Sequence, residues 1–284
     1  MTAGCNTTGN VLPSGDRIVD AQFPELNKVT IRLLVIPLAV YTAWLLEIFL
    51  LEGSLHLFER FDPLLLFLYT LLACILTGTV LPLFCIRTAF ISGAINMFQI
   101  GFRSFRRTVM ACSLTGIICY AGVIILNPFG AERVAFADAF MLFLPGAIAS
   151  VMICWVLVGT HIQAYVRGGG VAVSVSIGIM VTAALFCLTT FAYFPTAFQQ
   201  GPFFSSVFVG IVGAVFFFAV RDVYATSIVV GVCSVLTLAD RISALYLNNA
   251  SIYIWINAVL SVSVLVGIHR YLFRNYVTLE ILPK

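Results

Sequence analysis

The sequence predicts an all-α, polytopic integral membrane protein, a helical bundle of about eight transmembrane helices, with seven as the alternative count. Three observations predict this class. The 284-residue chain is 61% hydrophobic and only 10% charged, with a mean hydropathy of +1.08. Its apolar residues form eight long stretches, and the Lys and Arg residues between them lie mostly on one side. Because soluble domains carry about 25% charged residues, the expected solvent is the bilayer.

Each apolar stretch is close to the ~20 residues that cross a ~30 Å hydrocarbon core. Unsatisfied backbone groups are costly in lipid, so each stretch should be helical. The first stretch is too long for the apolar region of a signal peptide, and we expect it to remain as an anchor. The predicted spans are 29–51, 64–86, 109–129, 139–158, 171–194, 203–220, 224–247 and 252–273.

The charges between the spans predict the topology. Eight spans place both termini on one side, and twelve of the fifteen Lys and Arg residues fall there. By the positive-inside rule, both termini should be cytoplasmic. Residues 1–28 and 274–284 are then polar cytoplasmic tails on a single transmembrane domain, 29–273. The sequence does not distinguish the plasma membrane from an endomembrane. The three basic residues on the other side are Arg60, Arg133 and Arg241.

The long cytoplasmic connection, 87–108, has an amphipathic pattern. Apolar residues recur at steps of four and three, and polar residues follow the same rhythm one position later. This pattern predicts an interfacial helix with Arg103, Arg106 and Arg107 directed toward anionic lipid headgroups. The alternative is a helical extension that completes the flanking spans. The apolar positions are Ile91, Ile95, Phe98, Phe102 and Phe105.

Three charged residues are predicted at one depth in the outer half of the bilayer. Glu47 lies 15 residues beyond Arg32, and Asp240 and Arg241 lie about two turns before the end of the seventh predicted span. Charges inside spans usually face the bundle interior or a water path, and a carboxylate paired with Arg241 would be neutral overall. Glu47, Asp240 and Arg241 are therefore the candidate gate or proton-sensitive latch. Alternatively, the seventh span ends near Ala239, and Asp240 and Arg241 are loop residues.

Glu52, His56 and Glu59 form a second candidate site. Their spacing of i, i+4 and i+7 would place them on one helix face, as in a metal or acid–base site. Gly53 interrupts this helix, however, and favours a solvated loop for His56. The other histidines, His161 and His269, are predicted at the opposite membrane surface. No metal site is therefore predicted.

Arg221 and Asp222 lie in the short hairpin between the sixth and seventh spans. Their predicted role is helix capping and topology, with a cytoplasmic gate as the alternative. In the sixth span, Ser206, Gly210 and Ala214 are spaced so that another helix can approach closely. The eight cysteines show no C-x-x-C pattern and are expected to be buried thiols.

Catalytic motifs are missing from the sequence. It contains no H-E-x-x-H, no phosphate-binding glycine loop and no recognisable Ser/His/Asp set. This pattern disfavours an enzyme, and no cofactor is predicted. The formal charge of +3 is too small for a nucleic-acid-binding surface.

Three strings in the second half resemble the transmembrane BAX inhibitor motif family. TAALFCLTTFA at 182–192 resembles a conserved segment of that family, LADRI at 238–242 looks like its Y-D-T-Q-x-I segment, and ALYL at 244–247 looks like its A-L-x-L-Y-L-D segment. The resemblance implies a calcium-leak or cell-death regulatory fold with Asp240 as one half of an acidic latch. The family has seven spans, one fewer than predicted here. Its second acid falls on Asn248, whose amide cannot titrate.

The sequence therefore predicts a non-enzymatic, channel-like or regulatory membrane protein, acting in ion leak or stress regulation if the resemblance holds. Two alternatives remain. One is a transporter of a small solute, and the other is a membrane-embedded enzyme on a lipid-like substrate that uses Glu52, His56 and Glu59. The expected partners are the bilayer itself and, in a homo- or hetero-oligomer, further protein chains.

Overall fold

A computed structural model describes residues 26–53, 62–91, 95, 97–126, 133–193, 202–238 and 244–274. Every regular element in these ranges is helical, as the sequence predicts. Two short elements, Met97–Ile100 and Arg167–Gly169, lie between the long helices. The long helices are α1 (26–53), α2 (63–91), α3 (Phe105–Leu126), α4 (133–165), α5 (Val171–Tyr193), α6 (Pro202–Val220), α7 (Val223–Leu238) and α8 (Ala244–Leu272).

Six of these helices, α1 to α5 and α8, are long and apolar enough to cross a membrane. The other two, α6 and α7, are equally apolar but have 19 and 16 residues. At 1.5 Å per residue, α7 covers about 24 Å, less than the ~30 Å of a typical hydrocarbon core. The structure thus supports a multi-pass membrane protein, and the crossing of all eight helices stays a prediction.

Helix α4 lies at the centre of the bundle. Its Phe136–Tyr165 stretch is 83% buried, whereas the apolar stretch of α3 is only 11% buried. Helices α1, α2, α5, α7 and α8 all pack against α4. Every residue from Val151 to Val158 is at most 1% exposed. The middle of α4 is therefore enclosed by protein on all sides.

Glycines allow the closest helix approaches. A Cβ on Gly78 of α2 would lie 2.5 Å from the Ala149 Cβ of α4. A Cβ on Gly210 of α6 would lie 3.0 Å from the Ala183 carbonyl oxygen of α5. The second contact confirms the helix packing predicted for Ser206, Gly210 and Ala214. In lipid, dispersion forces at such contacts replace the hydrophobic effect between helices.

Two long stretches are π-helical, Thr70–Val80 in α2 and Val151–Gly159 in α4, and a shorter one, Phe49–Gly53, ends α1. The π-helix is rare and usually limited to one turn. The two long stretches adjoin each other near the Gly78–Ala149 contact. The Thr79 hydroxyl donates to the Cys74 carbonyl five residues earlier at 2.7 Å, which adds a bond to this wider turn.

The boundary predicted between the last two spans is wrong. The sequence placed it after Leu247, but α7 ends at Leu238 and α8 begins at Ala244. Residues 244–247 are thus continuous with 252–272 in one helix. Asp240 and Arg241 lie outside the described ranges.

The structure also corrects the single interfacial helix predicted over 87–108. Helix α2 continues to Ile91, a single turn follows at Met97–Ile100, and α3 starts at Phe105. Gly101 interrupts the helix with φ +85°, a conformation that L side chains rarely adopt. Because Ile95 and Phe102 are buried, this connection packs into the end of the bundle.

The arginines whose side chains are described share one end of the bundle, which we call the basic end. Arg103 contacts Arg221 there, and Arg87 lies beside Tyr271 near the end of α8. Glu47, Asp62 and Asp138 lie toward the opposite end. The cytoplasmic orientation of the basic end stays a prediction. The arginines are Arg87, Arg103, Arg106, Arg107, Arg221, Arg270 and Arg274.

The substitution Gly78→Ala should destabilise the protein by about 1–3 kcal/mol, the usual penalty for overpacking. The new methyl group would meet Ala149 at a distance that requires α2 and α4 to move apart. The matched control is Gly122→Ala in α3, where a Cβ would meet nothing within 4 Å. Unfolding free energies in mixed detergent–lipid micelles test this difference, and equal stability of the two variants would contradict the close approach.

Candidate functional site

Polar side chains lie at both ends of α4. At the basic end they form what we call the Arg221 cluster, where the α6–α7 turn contacts α4, α8 and the connection that precedes α3. At the opposite end a buried carboxylate, Asp138, contacts α8. The Arg221 cluster consists of Gln99, Gly101, Arg103, Thr108, Gln163, Arg221, Asp222, Tyr224 and His269.

Arg221 connects three parts of the chain. Its guanidinium donates to the Gln163 side-chain oxygen of α4 at 2.7 Å and to the Gln99 carbonyl oxygen at 3.2 Å. The guanidinium carbon also lies 4.8 Å from the centre of the Phe218 ring, within cation–π distance. The Arg103 side chain donates to the Arg221 carbonyl oxygen at 3.0 Å. One side chain thus links the α6–α7 turn to the central helix.

Arg221 has a strained backbone conformation and a side chain whose charged form is destabilised by its surroundings. Among the described residues other than glycine, it alone has a positive φ, at 55°. That conformation costs an L-residue roughly 1–2 kcal/mol. Burial, and then the nearby charge of Arg103, lower the pKa of Arg221 to about 10. The guanidinium still carries its charge near neutral pH, and strained or perturbed groups of this kind cluster at functional sites.

Asp222 caps helix α7. One oxygen of its carboxylate accepts the Ala225 backbone N–H at 2.9 Å, the usual geometry of a helix N-cap. The other oxygen accepts the Thr108 hydroxyl of α3 at 2.8 Å. The side chain is 1% exposed. Asp222 therefore starts α7 and also attaches the peripheral helix α3 to it.

His269 closes the cluster on the side of α8. Its Nε2 lies 2.8 Å from the Arg103 carbonyl oxygen, which can only accept, so Nε2 carries a hydrogen. Its Nδ1 lies 3.2 Å from the Tyr224 hydroxyl, which donates to the Leu265 carbonyl oxygen. The Val223 N–H donates to the Gly101 carbonyl oxygen at 3.1 Å. These bonds join α7, α8 and the connection before α3.

Asp138 occupies the other end of α4 and is 3% exposed. Its Oδ1 accepts the Trp255 indole N–H at 2.7 Å and the Ser251 hydroxyl at 3.1 Å, both from α8. Both donors are neutral, and none of the arginines described at the basic end reaches it. A buried carboxylate within an apolar helix marks a functional-site candidate.

Between these two polar groups the middle of α4, Val151–Gly159, is apolar. Trp155 of α4 is fully buried and stacks on Phe186 at 5.4 Å between ring centres. Its indole N–H has no hydrogen-bond partner in the described structure. Nearby, the Tyr41 hydroxyl of α1 donates to the Leu185 carbonyl oxygen at 2.7 Å. The segment around Trp155 therefore separates the polar ends without an open polar passage along α4.

Searches among protein-family models, curated proteins and solved structures found no match to this chain. The resemblance to the transmembrane BAX inhibitor motif family therefore stays a prediction. Its first string, 182–192, lies within α5, where Thr182, Phe186 and Thr189 are buried. The LADRI string lies mostly outside the described ranges, and the ALYL string begins α8.

Of the predicted site residues, Arg221 and Asp222 lie together in the Arg221 cluster, and the convergence of Glu47, Asp240 and Arg241 stays a prediction. Glu47 is half-buried near the end of α1. Asp240, Arg241, His56 and Glu59 lie outside the described ranges. Glu52 lies in the last turn of α1 and Asn248 in the first turns of α8, but their side chains are not described.

Within the described ranges, the cysteine thiols and the other potential metal ligands do not form a further candidate site. The seven described cysteines are not joined in disulfides. Within the described ranges, no three His, Cys, Asp or Glu residues are grouped so as to hold a metal ion.

Sequence reasoning missed Asp138, Gln163 and His269. The fourth span was predicted to begin at Ala139, so Asp138 was assigned to the loop, whereas helix α4 begins at Arg133. His269 was considered only as a metal ligand. Trp255 offers a signal, because an indole N–H within an apolar helix needs an acceptor and points to a nearby polar group.

Replacing Arg221 should separate its side-chain and backbone roles. Arg221→Ala removes the bonds to Gln99 and Gln163 but keeps the strained φ, so we expect a loss of about 1–3 kcal/mol. Arg221→Gly removes the same bonds and relieves the strain, so it should be more stable than Arg221→Ala by about 1–2 kcal/mol. Unfolding in mixed micelles measures both, and an Ala variant as stable as the Gly variant would contradict the left-handed conformation.

Proposed function

We propose that this protein is a channel-like, non-enzymatic membrane protein and that the structure represents its closed state. One observation carries the proposal. The central helix has a buried polar group at each end, Asp138 and the Arg221 cluster, and a fully enclosed apolar segment between them. Polar ends separated by a short hydrophobic constriction are typical of a passage that is closed by exclusion of water.

Two features support a channel over the alternatives. A small-solute transporter needs polar groups near the bilayer midplane, but the middle of α4, Val151–Val158, is apolar apart from Cys154 and the Trp155 indole. An enzyme needs a reactive group with an adjacent base. At the polar ends of α4, Asp222 and Asp138 are instead occupied in hydrogen bonds to Thr108, Ala225, Trp255 and Ser251.

The Arg221 cluster is the proposed gate at the basic end. Opening of the bundle requires α4 to separate from the α6–α7 turn, and the bond from Arg221 to Gln163 opposes that movement. The strain at Arg221 reduces the stability of the closed state, which makes the two states closer in energy. Asp138 would attract cations at the opposite end.

The proposal also gives roles to the candidate residues that were predicted from the sequence. Asp240 and Arg241 with Glu47 would form a latch at the end of the bundle opposite the basic end, which we call the acidic end. This is the role implied by the family resemblance. Arg106 and Arg107 are exposed and would contact anionic headgroups at the basic end, whereas Arg103 is half-buried and also bonded to Arg221. The regulatory role in ion leak or stress response rests on that resemblance.

A flux assay in liposomes tests the proposal. Purified protein should pass K⁺ or Ca²⁺ slowly. Arg221→Ala keeps the strained backbone but loses the bonds, so it should raise the rate about tenfold if the lost bonds weaken the closed state by about 1.4 kcal/mol. Adding Asp138→Asn to Arg221→Ala should lower cation flux again, because the fixed negative charge is removed. Size-exclusion profiles establish that each variant is folded.

The matched control is Arg106→Ala, the same substitution at an exposed arginine of the same end. It should leave the flux at the wild-type rate. Absence of flux from the wild-type protein and from folded Arg221→Ala would contradict a channel. Equal stimulation by Arg106→Ala and Arg221→Ala would contradict the gate.

A further inference from the structure

A groove lies on the outer surface of the bundle, between α2 and α8 at the basic end. It encloses about 420 Å³ and is separate from the Arg221 cluster. Its walls are Leu83 and Phe84 of α2 and Val264 and Tyr271 of α8, with Gly267 at its floor and Arg87 at one end. This volume falls in the range of about 300–1,000 Å³ usual for small-molecule sites.

The groove is open because of Gly267. A Cβ at that position would meet no atom within 4 Å, so a space next to α8 is left unfilled. Phe84 is 58% exposed at the groove wall. Both α2 and α8 are long and apolar enough to span a membrane. In a bilayer that they cross, this wall would face the hydrocarbon of the lipid. The chemistry of the groove therefore suits an acyl chain.

The end of the groove is positively charged. Arg87 lies one turn beyond Leu83 and Phe84 and is exposed. Arg270 and Arg274 follow Gly267 at three and seven residues, which places them near the same end of α8, and both are exposed. Arginine binds phosphate oxygens through two N–H groups in parallel. A ligand with an apolar chain and an anionic phosphate matches this arrangement.

We propose that this groove binds one anionic glycerophospholipid from the surrounding leaflet. One acyl chain lies between Leu83, Phe84 and Val264 above Gly267, and the phosphate accepts hydrogen bonds from Arg87, with Arg270 and Arg274 adding positive charge. The site differs from the general headgroup contacts of Arg106 and Arg107, because it combines charge with a shaped apolar cavity. It does not depend on the channel function.

Native mass spectrometry of the detergent-purified protein tests this site. The probes are phosphatidylglycerol and phosphatidylcholine with identical acyl chains, and oleate. The wild-type protein should retain one phosphatidylglycerol in preference to phosphatidylcholine. Arg87→Gln should weaken phosphatidylglycerol binding about fivefold, since one basic residue near an anionic lipid surface contributes about that factor. Phosphatidylcholine binding should change little.

Gly267→Leu should weaken both phospholipids more than tenfold, because the new side chain occupies the space of several methylene groups. Its control is Gly122→Leu in α3, where a Cβ also meets nothing within 4 Å and no groove is present. That variant should bind both lipids as the wild type does. Both substitutions add the same side chain to an open helix face, so a general effect of leucine is excluded.

Four results would overturn the proposal. Equal retention of the two phospholipids by the wild type would show that Arg87 does not select the anionic headgroup. Unchanged binding by folded Gly267→Leu would show that the lipid binds outside the groove. Loss of phosphatidylglycerol preference in Arg106→Gln, with Arg87→Gln unaffected, would move the site to α3. Retention of oleate without phosphatidylglycerol would also contradict a phospholipid site.

Discussion

Enclosure of α4 by its neighbours is the constraint on which the rest of the bundle depends. In lipid, apolar side chains gain little by leaving the hydrocarbon, so helices associate through close packing and a few polar contacts. Helix α4 meets five other helices, and the Gly78–Ala149 approach brings its backbone close to α2. Because the segment Val151–Val158 is closed on every side, polar chemistry along α4 is confined to its two ends.

The two ends of α4 are held by different kinds of contact. At the acidic end, Trp255 and Ser251 hold Asp138 through two neutral donors, so the carboxylate joins α4 to α8. At the basic end, Arg221 and Asp222 occupy a two-residue turn whose backbone is strained and whose side chains bind three other parts of the chain. The first contact fixes a helix pair, whereas the second connects elements that must separate if the bundle opens.

The helical class and most helix positions follow from the sequence, because hydropathy and span length are properties of single segments. The prediction failed at the boundary between the last two spans, where hydropathy alone does not show to which helix a residue belongs. By hydropathy, residues 244–247 belong to the predicted seventh span, whereas in the structure they begin α8. The central position of α4 could not be predicted. Helices α3 and α4 have similar hydropathies of 2.0 and 2.3, yet one is peripheral and the other buried.

The candidate site was predicted only in part. Adjacent charges in a short hairpin indicate Arg221 and Asp222. The partners of Arg221, Gln163 and Arg103, lie 58 and 118 residues away, and His269 joins the cluster through Arg103, 166 residues away, so no local pattern shows them. The groove beside Gly267 was likewise not visible, since a helical glycine signals an open space only when its neighbours are known. Contacts between residues that are far apart in sequence depend on which helices pack against each other. The periodicity of a single helix does not show this.

Labelling of Cys154 in liposomes tests the central claim most directly. Cys154 lies in the enclosed segment and would be the sole cysteine of a variant in which the other seven are replaced by alanine. We predict that a water-soluble thiol reagent leaves it unmodified in the resting protein and modifies it when Arg221→Ala is added. A second variant with only Cys119, on the peripheral helix α3, should stay unmodified in both backgrounds. Rapid modification of Cys154 at rest, or protection that persists in Arg221→Ala, would contradict a central helix closed to water by the Arg221 cluster.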